Sequence, residues 1–220
     1  MRYAKELIDK GLEEQGRQKI LEAWDINPQM AYTFIKELKK RKIEYFVAPY
    51  EADAQLAYLA KIKYVDLVIT EDSDMLALGC QRVLFKLDLD SGYGVEINLA
   101  DLAKCKELDF SLFNHDKFLQ YCILSGCDYF KLKGIGFKTA YQCVKERNNY
   151  KDVLQLIKNC NRAANNNHNE LEESYEKAFL TFKFQVVYCP LEKKMRHFNN
   201  IDETHYTFIQ KFKDLSFLGK

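Results

Sequence analysis

Two pairs of acidic residues, each shortly after a predicted strand, constrain this chain more than any other feature of its sequence. The predicted strands are the β-rich run 43–47 and the apolar run 67–70, and the acidic residues that follow them are Glu51, Asp53, Asp72 and Asp74. Residues two positions apart point the same way in an extended chain, so each pair suits the end of a strand. Because ligand sites of parallel sheets lie beyond the carboxyl ends of the strands, the four carboxylates are predicted to converge.

The order of the predicted elements indicates an α/β domain. Strands at 43–47 and 67–70 alternate with helical patterns at 51–62 and 75–78, which is typical of a largely parallel sheet flanked by helices. Asn27 and Pro28 predict an N-cap and the first position of a helix. The remaining predictions are helices at about 3–24, 28–41, 99–108, 115–124, 137–147, 150–160 and 171–184, a hairpin of strands 82–89 and 93–97, and an asparagine-rich loop at 159–169.

Four carboxylates in one small volume repel one another by about several kcal/mol, as Coulomb's law gives for charges a few ångström apart, unless a cation neutralises them. Hard oxygen ligands suit Mg²⁺ or Mn²⁺ better than zinc, and paired ions of this kind catalyse attack on phosphorus. The pattern therefore predicts metal-dependent phosphodiester hydrolysis. Helix capping is the alternative, because acidic residues are common at helix N-termini, and it is the favoured interpretation of either pair alone. Two pairs at successive strand ends favour the metal site.

The charge is unevenly distributed, although the net charge of +1 gives no support to nucleic-acid binding by itself. Between residues 51 and 74, six acidic residues face two lysines, a balance of −4. Between residues 131 and 147, five basic residues face one glutamate, a balance of +4. This distribution suits a site that holds cations beside a surface that holds phosphates.

Composition excludes several classes of protein. The 220 residues, 47% hydrophobic and 30% charged, are typical of a soluble globular chain with one ample core. We expect no membrane span and no secretory signal, because no long apolar run and no apolar N-terminal segment occur. The seven scattered cysteines form no C-x-x-C pattern. They are expected to be reduced thiols in an intracellular protein rather than a disulfide framework or a zinc site.

Three longer motifs closely resemble the flap endonuclease/XPG superfamily of 5′-nucleases. They are VAPYEADAQLAYL at 47–59, ITEDSDML at 69–76 and CILSGCDY at 122–129. The sequences of these motifs are most similar to the eukaryotic exonuclease 1 branch of that superfamily, and the resemblance extends from about residue 10 to residue 200. It implies a PIN-like (Rossmann-like) α/β fold followed by a helical helix-two-turn-helix subdomain, the 5′-3′ exonuclease C-terminal type.

The resemblance also implies the catalytic residues. The superfamily's acids at the positions of Glu51, Asp53, Asp72, Asp74 and Asp128 are catalytic and hold two Mg²⁺ ions, for which Mn²⁺ can substitute. Asp128 joins the set chiefly through this resemblance, since alone it would be interpreted as a loop carboxylate. The neighbouring acid of the second motif, Glu71, is left out because its counterpart is not a ligand in the superfamily.

The segment GIGFKTA at 134–140 resembles the turn of the helix-two-turn-helix element, which grips one DNA strand through backbone amides and a bound K⁺ ion. We call residues 134–136 the glycine turn. The implied DNA contacts are Gly134, Gly136 and Lys138, and the implied K⁺ ligands are Ser125 and the carbonyl of Ile135. Glycines permit a close approach of phosphate, and the amides that open the next helix favour an anion. Without the other motifs, an ordinary helix-capping turn would be the preferred interpretation.

The resemblance implies a Mg²⁺-dependent 5′ to 3′ double-stranded DNA exonuclease with 5′-flap endonuclease activity in mismatch repair, recombination and replication. Expected partners are DNA with 5′ ends, nicks, gaps or flaps, mismatch-repair proteins and a sliding clamp. A nuclear monomer without membrane association is expected. Residues 1–110 are expected to form the C-terminal portion of the nuclease α/β domain with part of its helical arch, and residues 111–220 the helical subdomain and a return to the core.

The superfamily's nuclease domain begins with a segment that supplies two further metal-binding aspartates, and this sequence does not contain it. The chain is therefore expected to be incomplete for catalysis. Two rival hypotheses remain open at this point. One is a catalytically silent module that binds duplex DNA, and the other is an RNA-cutting nuclease of the same PIN-like architecture.

Overall fold

The computed structural model of the protein describes residues 2–22, 27–147, 152–153, 155–156 and 168–219. The chain divides into two compact units, Met1–Val47 and Ala48–Lys220. The boundary predicted near residue 110 falls inside the second unit and stays a prediction. Among the described residues, no helix is both long enough and apolar enough to cross a bilayer.

The first unit contains the helices α1 (Arg2–Asp9), α2 (Glu13–Glu22) and α3 (Pro28–Lys40). The single helix predicted at 3–24 is wrong, because Gly11 takes a positive φ of 78° and ends α1. The amide of Gly11 donates to the carbonyl of Ile8 at 2.9 Å, and the amide of Leu12 donates to that of Leu7 at 3.0 Å. These two bonds form a Schellman motif, which glycine adopts without steric cost.

The start of α3 follows the prediction closely. The side chain of Asn27 accepts a hydrogen bond from the amide of Met30 at 3.0 Å, and Pro28 occupies the first helical position. The strand predicted at 43–47 is wrong, because residues 43–48 form neither helix nor strand. A β-rich apolar run indicates a preference for extended backbone, whereas a strand also needs a neighbour in register.

The second unit is a mixed α/β structure. Its elements in chain order are α4 (Ala52–Lys61), β1 (Val68–Ile69), α5 (Asp74–Ala77), β2 (Arg82–Phe85), β3 (Val95–Asn98), a 3₁₀ helix (Leu99–Lys104), α6 (His115–Ser125), α7 (Phe137–Lys145), α8 (His168–Phe184), β4 (Val186–Cys189), β5 (Lys194–His197), α9 (Glu203–Ile209) and a second 3₁₀ helix (Ser216–Leu218).

Most of the predicted helices of the second unit are present. The helix predicted at 99–108 is present as a shorter 3₁₀ helix, Leu99–Lys104. Residues 152–153 and 155–156 are helical, and the rest of the helix predicted at 150–160 lies outside the described residues. The predicted asparagine-rich loop lies outside them as far as residue 167, and α8 begins at His168.

The three-stranded sheet has the order β1-β2-β3. β1 pairs in parallel with β2, and β2 pairs antiparallel with β3, with Val83 opposite both Val68 and Ile97. The α/β class and the predicted hairpin are thereby confirmed, although its strands are shorter than expected. The described strands give one parallel and one antiparallel pairing, so the largely parallel sheet stays a prediction.

The core of the second unit draws on residues from Ala54 to Phe198. Met75, Val83 and Ile123 are fully buried within it. Burial of each such side chain contributes about 1.5–3 kcal/mol. The same core thus joins the helices that carry the acidic residues to elements near the end of the chain.

A buried glutamine ties α4 to β4. The Nε2 of Gln55 donates to the carbonyl of Tyr188 at 2.9 Å, and the amide of Tyr188 donates to Oε1 of Gln55 at 2.7 Å. Gln55 is only 3% exposed. Because both hydrogen-bonding groups of the amide are used, this contact fixes the N-terminal half of α4 against the strand.

Candidate functional site

The two acidic pairs lie at the N-termini of two successive helices. Glu51 is the N-cap of α4 and Asp53 lies in its first turn, while Asp74 begins α5 two residues after Asp72. The predicted position at a strand end is confirmed for the second pair, which follows β1. It is wrong for the first pair, which follows a segment without strand structure.

The five predicted acids act on one another electrostatically. The pKa of Asp74 is raised to about 6, first by burial and then by the charges of Asp72, Asp128, Asp53 and Glu51 in that order. Burial likewise raises the pKa of Asp53, with Asp72, Glu51 and Asp128 contributing in the same direction. The structure therefore brings these carboxylates into one neighbourhood, which we call the carboxylate site.

Capping accounts for part of the second pair. Oδ1 of Asp72 accepts a hydrogen bond from the amide of Asp74 at 2.8 Å, and the amide of Asp72 donates to the hydroxyl of Thr70 at 3.1 Å. The side chain of Glu51, in contrast, makes no capping bond to α4. Local turn formation thus explains one oxygen of Asp72 and leaves the first pair unexplained.

The side chain of Glu51 is held by two residues far away in the sequence. Its Oε2 accepts hydrogen bonds from the hydroxyl of Tyr129 and from Nε2 of Gln185, the second at 2.8 Å. Nε2 of Gln185 also donates to the hydroxyl oxygen of Tyr129 at 2.9 Å. Burial and the bond to Glu51 raise the pKa of Tyr129.

Tyr129 and Gln185 were not identified from the sequence. Tyr129 carried a usable signal, because it directly follows Asp128 in the third motif. Gln185 carried none, since it lies 134 residues from Glu51 in an otherwise apolar context. Only the folded chain brings its amide to the carboxylate.

Asp128 lies in the tight turn after α6. Gly126 takes a φ of 109°, which a side chain disfavours, and the chain then reverses through an antiparallel bridge between Cys127 and Phe130. Asp128 itself is exposed. Glu71 points elsewhere, because its Oε1 accepts a hydrogen bond from the amide of Lys86 at 2.7 Å.

Among the residues that the structure describes, no three Asp, Glu, His or Cys side chains converge into an arrangement that could hold a metal ion. Asp72 and Glu51 already accept hydrogen bonds from other groups of the chain, and like charges favour side-chain rotamers that keep the acids apart. The donor chemistry nevertheless fits a hard divalent cation. A group of carboxylates that raise one another's pKa is stabilised by any cation that enters among them.

The glycine turn lies between α6 and α7 and presents open backbone. Gly134 has a φ of 85°, and Gly136 is the N-cap of α7 without a side-chain capping bond. A Cβ added to either glycine would meet no atom within 4 Å. The exposed Lys138 follows in the first turn of α7, with its Nζ 5.8 Å from the ring centroid of Phe137. Backbone amides at such a helix start suit an anion.

An aromatic cluster braces the helices on either side of the glycine turn. The ring of Phe110 lies edge-on to those of Phe118 and Tyr141 at centroid distances of 5.5 Å and 5.6 Å. The hydroxyl of Tyr141 donates to the carbonyl of Asp109 at 2.7 Å. These contacts hold α6 and α7 in a fixed relation.

Of the two predicted potassium ligands, Ser125 is the last residue of α6 and Ile135 lies within the glycine turn. The hydroxyl of Ser125 donates to the carbonyl of Tyr121 at 2.8 Å, which leaves its oxygen able to act as a ligand. The amide of Ile135 donates to the carbonyl of Leu132 at 3.2 Å. Their role as ligands stays a prediction.

Residues 42–128 match the family model of the XPG I-region, a span that contains all five carboxylates. Exonuclease 1 of Oryza sativa subsp. japonica is 41% identical over 198 residues, which cover 90% of this chain and 22% of that protein. The chain therefore spans less than a quarter of the length of this relative.

Two solved structures resemble the fold. Flap endonuclease-1 from Methanococcus jannaschii superposes with a TM-score of 0.57 at 24% identity, over 78% of this chain and 50% of that one. The Holliday junction-resolving enzyme GEN1, in complex with product DNA and a Mg²⁺ ion, gives a TM-score of 0.54 at 20% identity, over 86% and 47%. At these identities the likeness is one of fold.

Proposed function

Because the chain belongs to the flap endonuclease/XPG superfamily, we propose that it acts in a Mg²⁺-dependent 5′ to 3′ DNA exonuclease that also cuts 5′ flaps. The observation that carries this proposal is the electrostatic repulsion among the five carboxylates, since the other four all raise the pKa of Asp74. Such repulsion destabilises a folded protein unless a bound cation relieves it.

In this proposal the carboxylate site holds two divalent cations. When bound, such ions supply a Lewis acid and an activated water for in-line attack on the phosphodiester. The partly buried carboxyl groups of Asp53 and Asp74, whose pKa values are raised, would be ligands whose negative charge such cations stabilise. The hydrogen bonds on Oε2 of Glu51 orient this carboxylate from the side of Tyr129 and Gln185.

The glycine turn is the proposed contact with the substrate backbone. The amides that open α7 receive a phosphate, the open space beside Gly134 and Gly136 admits it, and Lys138 adds a positive charge. With its two flanking helices, the turn would serve as the helix-two-turn-helix element, with K⁺ between Ser125 and the carbonyl of Ile135. Binding of this type is independent of base sequence and sensitive to salt.

We extend the proposal to the cellular setting that the superfamily suggests. The substrate would be duplex DNA with a 5′ end, nick, gap or flap, processed during repair in the nucleus by a monomer. Mismatch-repair proteins and a sliding clamp are the proposed protein partners.

Calorimetry and cleavage of duplex DNA test the metal site together. MgCl₂ titrated into the chain should bind at neutral pH, and Asp72→Ala and Asp74→Ala should weaken binding on the order of a hundredfold or more, because each removes a charged ligand. The rate at which the protein cleaves a 5′-recessed or 5′-flapped duplex should decrease in the same two variants. Glu71→Gln is the matched control, since this neighbouring acid bonds to Lys86, and it should retain both properties.

Two outcomes would contradict the proposal. Duplex binding without any Mg²⁺ binding, unchanged in the two aspartate variants, would establish the silent DNA-binding module instead. Faster cleavage of a matched RNA duplex than of the DNA duplex would establish the RNA-cutting relative.

A further inference from the structure

Two hydrogen-bond donors meet the carboxylate of Glu51 at the same oxygen. The hydroxyl of Tyr129 and Nε2 of Gln185 both donate to Oε2, and within the described part of the chain neither of them donates a hydrogen bond to Oε1. Two bonds fill the lone pairs of Oε2, so a cation that met this residue would find its acceptor capacity on Oε1.

The backbone of Gln185 is fixed on both sides of its side chain. This residue joins α8 to β4, its amide donates to the carbonyl of Thr181 at 3.2 Å, and its carbonyl accepts from the amide of Phe198 at 2.9 Å. The residue is 1% exposed. Its side-chain amide therefore has little freedom to turn away from the carboxylate.

The orientation of this amide has a cost that packing alone does not require. With Nε2 directed at Glu51 and at Tyr129, the buried Oε1 of Gln185 meets no hydrogen-bond donor within the part of the chain that the structure describes. A buried polar atom without a partner costs about 1–3 kcal/mol. An apolar side chain would avoid that cost, so the position favours a role for the two donated bonds.

Tyr129 is anchored independently of the carboxylate. Its ring lies edge-on to that of Phe182 on α8, with centroids 5.2 Å apart. It is also the residue after Asp128, so one side chain connects the turn that carries Asp128 to the carboxylate of Glu51. A shift at either position is thus transmitted to the other.

We propose that Tyr129 and Gln185 are positioning residues that hold Glu51 as a ligand through Oε1 alone, so that it binds a divalent cation with a single oxygen. This inference rests on the proposed function of the carboxylate site. Hydrogen bonds from outside the ligand set orient metal ligands, and their loss commonly weakens metal affinity by about 10–100-fold. Neither residue touches the substrate or the ion in this proposal.

Calorimetric titration of the chain with MgCl₂ and with MnCl₂ tests it. Tyr129→Phe keeps the ring contact and Gln185→Met keeps the volume, and each should weaken binding about tenfold or more. The double variant should lose less than the sum of the two effects, because the three side chains form one network. The matched control is Tyr141→Phe, which removes a buried hydrogen bond elsewhere and should keep metal affinity within about twofold.

Infrared difference spectra on metal addition give a readout that general loosening of the fold would not move. In the unaltered chain with ¹³C-labelled glutamate, the carboxylate bands should change as expected for a single-oxygen ligand. In Tyr129→Phe they should shift toward the two-oxygen pattern, because Oε2 is released. The Tyr141→Phe spectrum should match that of the unaltered chain.

The outcomes separate this inference from the proposed function. If the unaltered chain binds neither ion, the metal site itself is wrong. If it binds them, and Tyr129→Phe and Gln185→Met keep the affinity and the spectrum of the unaltered chain, the positioning role is overturned while the metal site stands. Should Gln185→Met fail to fold, Tyr129→Phe decides the matter alone, since its packing against Phe182 is preserved.

Discussion

The carboxylate site and the glycine turn are built in opposite ways. The first consists of side chains from three separate segments, whose charges raise the pKa of Asp74. One of them, Glu51, accepts a hydrogen bond from the distant residue Gln185. The second is continuous in sequence, and it offers backbone amides and empty space. One surface depends on long-range packing, whereas the other depends on local backbone conformation.

This difference predicts different sensitivities. Side-chain charges in a shared neighbourhood respond to protons and to cations, because either relieves their repulsion. Backbone amides do not titrate, so the glycine turn should respond to the size of nearby side chains and to salt. If the two regions responded alike in the following experiments, this distinction between them would be wrong.

The largest effect is expected from pH and Mg²⁺ at the carboxylate site. The ordinary pKa of an aspartate, 3.8, rises to about 6 for Asp74, so the folded chain holds this proton more tightly than the unfolded chain does. The free energy of unfolding should therefore fall as pH rises from about 4 to 7 and then level off. The raised pKa of Asp53 acts in the same direction.

Urea unfolding at pH 5, 6 and 7.5 measures this trend. At pH 7.5, MgCl₂ at a hundred times its dissociation constant should restore about 2.7 kcal/mol, and less at pH 5 because protons compete. Asp74→Asn should flatten the dependence between pH 5 and 7. A metal-free chain whose aspartate-dependent stability increased over that range would contradict the pKa shift.

The second effect concerns the glycine turn. Gly136→Ala should fold normally, because Gly136 has an ordinary φ of −98° and its Cβ would meet no atom within 4 Å. If a phosphate approaches that space, the methyl group should weaken duplex binding about tenfold, or 1.4 kcal/mol. Fluorescence anisotropy and a thermal melt measure the two properties.

Gly134→Ala provides the contrast, since its φ of 85° adds backbone strain of about 1–2 kcal/mol to any effect on DNA. If Gly136→Ala leaves DNA affinity unchanged, the glycine turn is an ordinary helix cap and not a DNA contact. Metal affinity should be the same in both variants, because neither glycine belongs to the carboxylate site.

The smallest effect is expected from Lys138→Ala. Loss of one phosphate contact should weaken DNA binding a few-fold and reduce the slope of log affinity against log salt by about 1. Lys104→Ala is the control, since this exposed lysine pairs with Asp101 outside the basic segment. Equal salt slopes in the two variants would contradict a specific role of Lys138.

For the candidate site, the sequence predicted which residues carry the chemistry, and their role as metal ligands stays a prediction. Charge repulsion was enough to expect that Asp72 and Asp74 lie near Glu51 and Asp53, and the effect of these acids on the pKa of Asp74 and of Asp53 agrees with that expectation. The same logic could not show whether the acids cap helices or hold cations. That question depends on side-chain rotamers, which the pattern of residues does not determine.

The errors have physical causes of two kinds. A single glycine at position 11 ends the first of two helices, whereas the helix-rich composition of the whole segment predicted one. The segment 43–47 has the composition of a strand, but strand formation depends on a neighbour in register. Gln185 could not be found, because nothing in its local sequence records a contact that spans 134 residues.

The tie between Gln55 and Tyr188 bears on modularity. The span that matches the XPG I-region ends at residue 128, yet the side chain of a helix inside that span is bonded to a strand far beyond it. A polypeptide cut at residue 128 would keep every carboxylate and lose the scaffold that orients α4. The smallest segment that folds on its own should therefore extend through the antiparallel pair β4–β5. The span that matches the family model and the span that folds as one cooperative unit should then end at different residues.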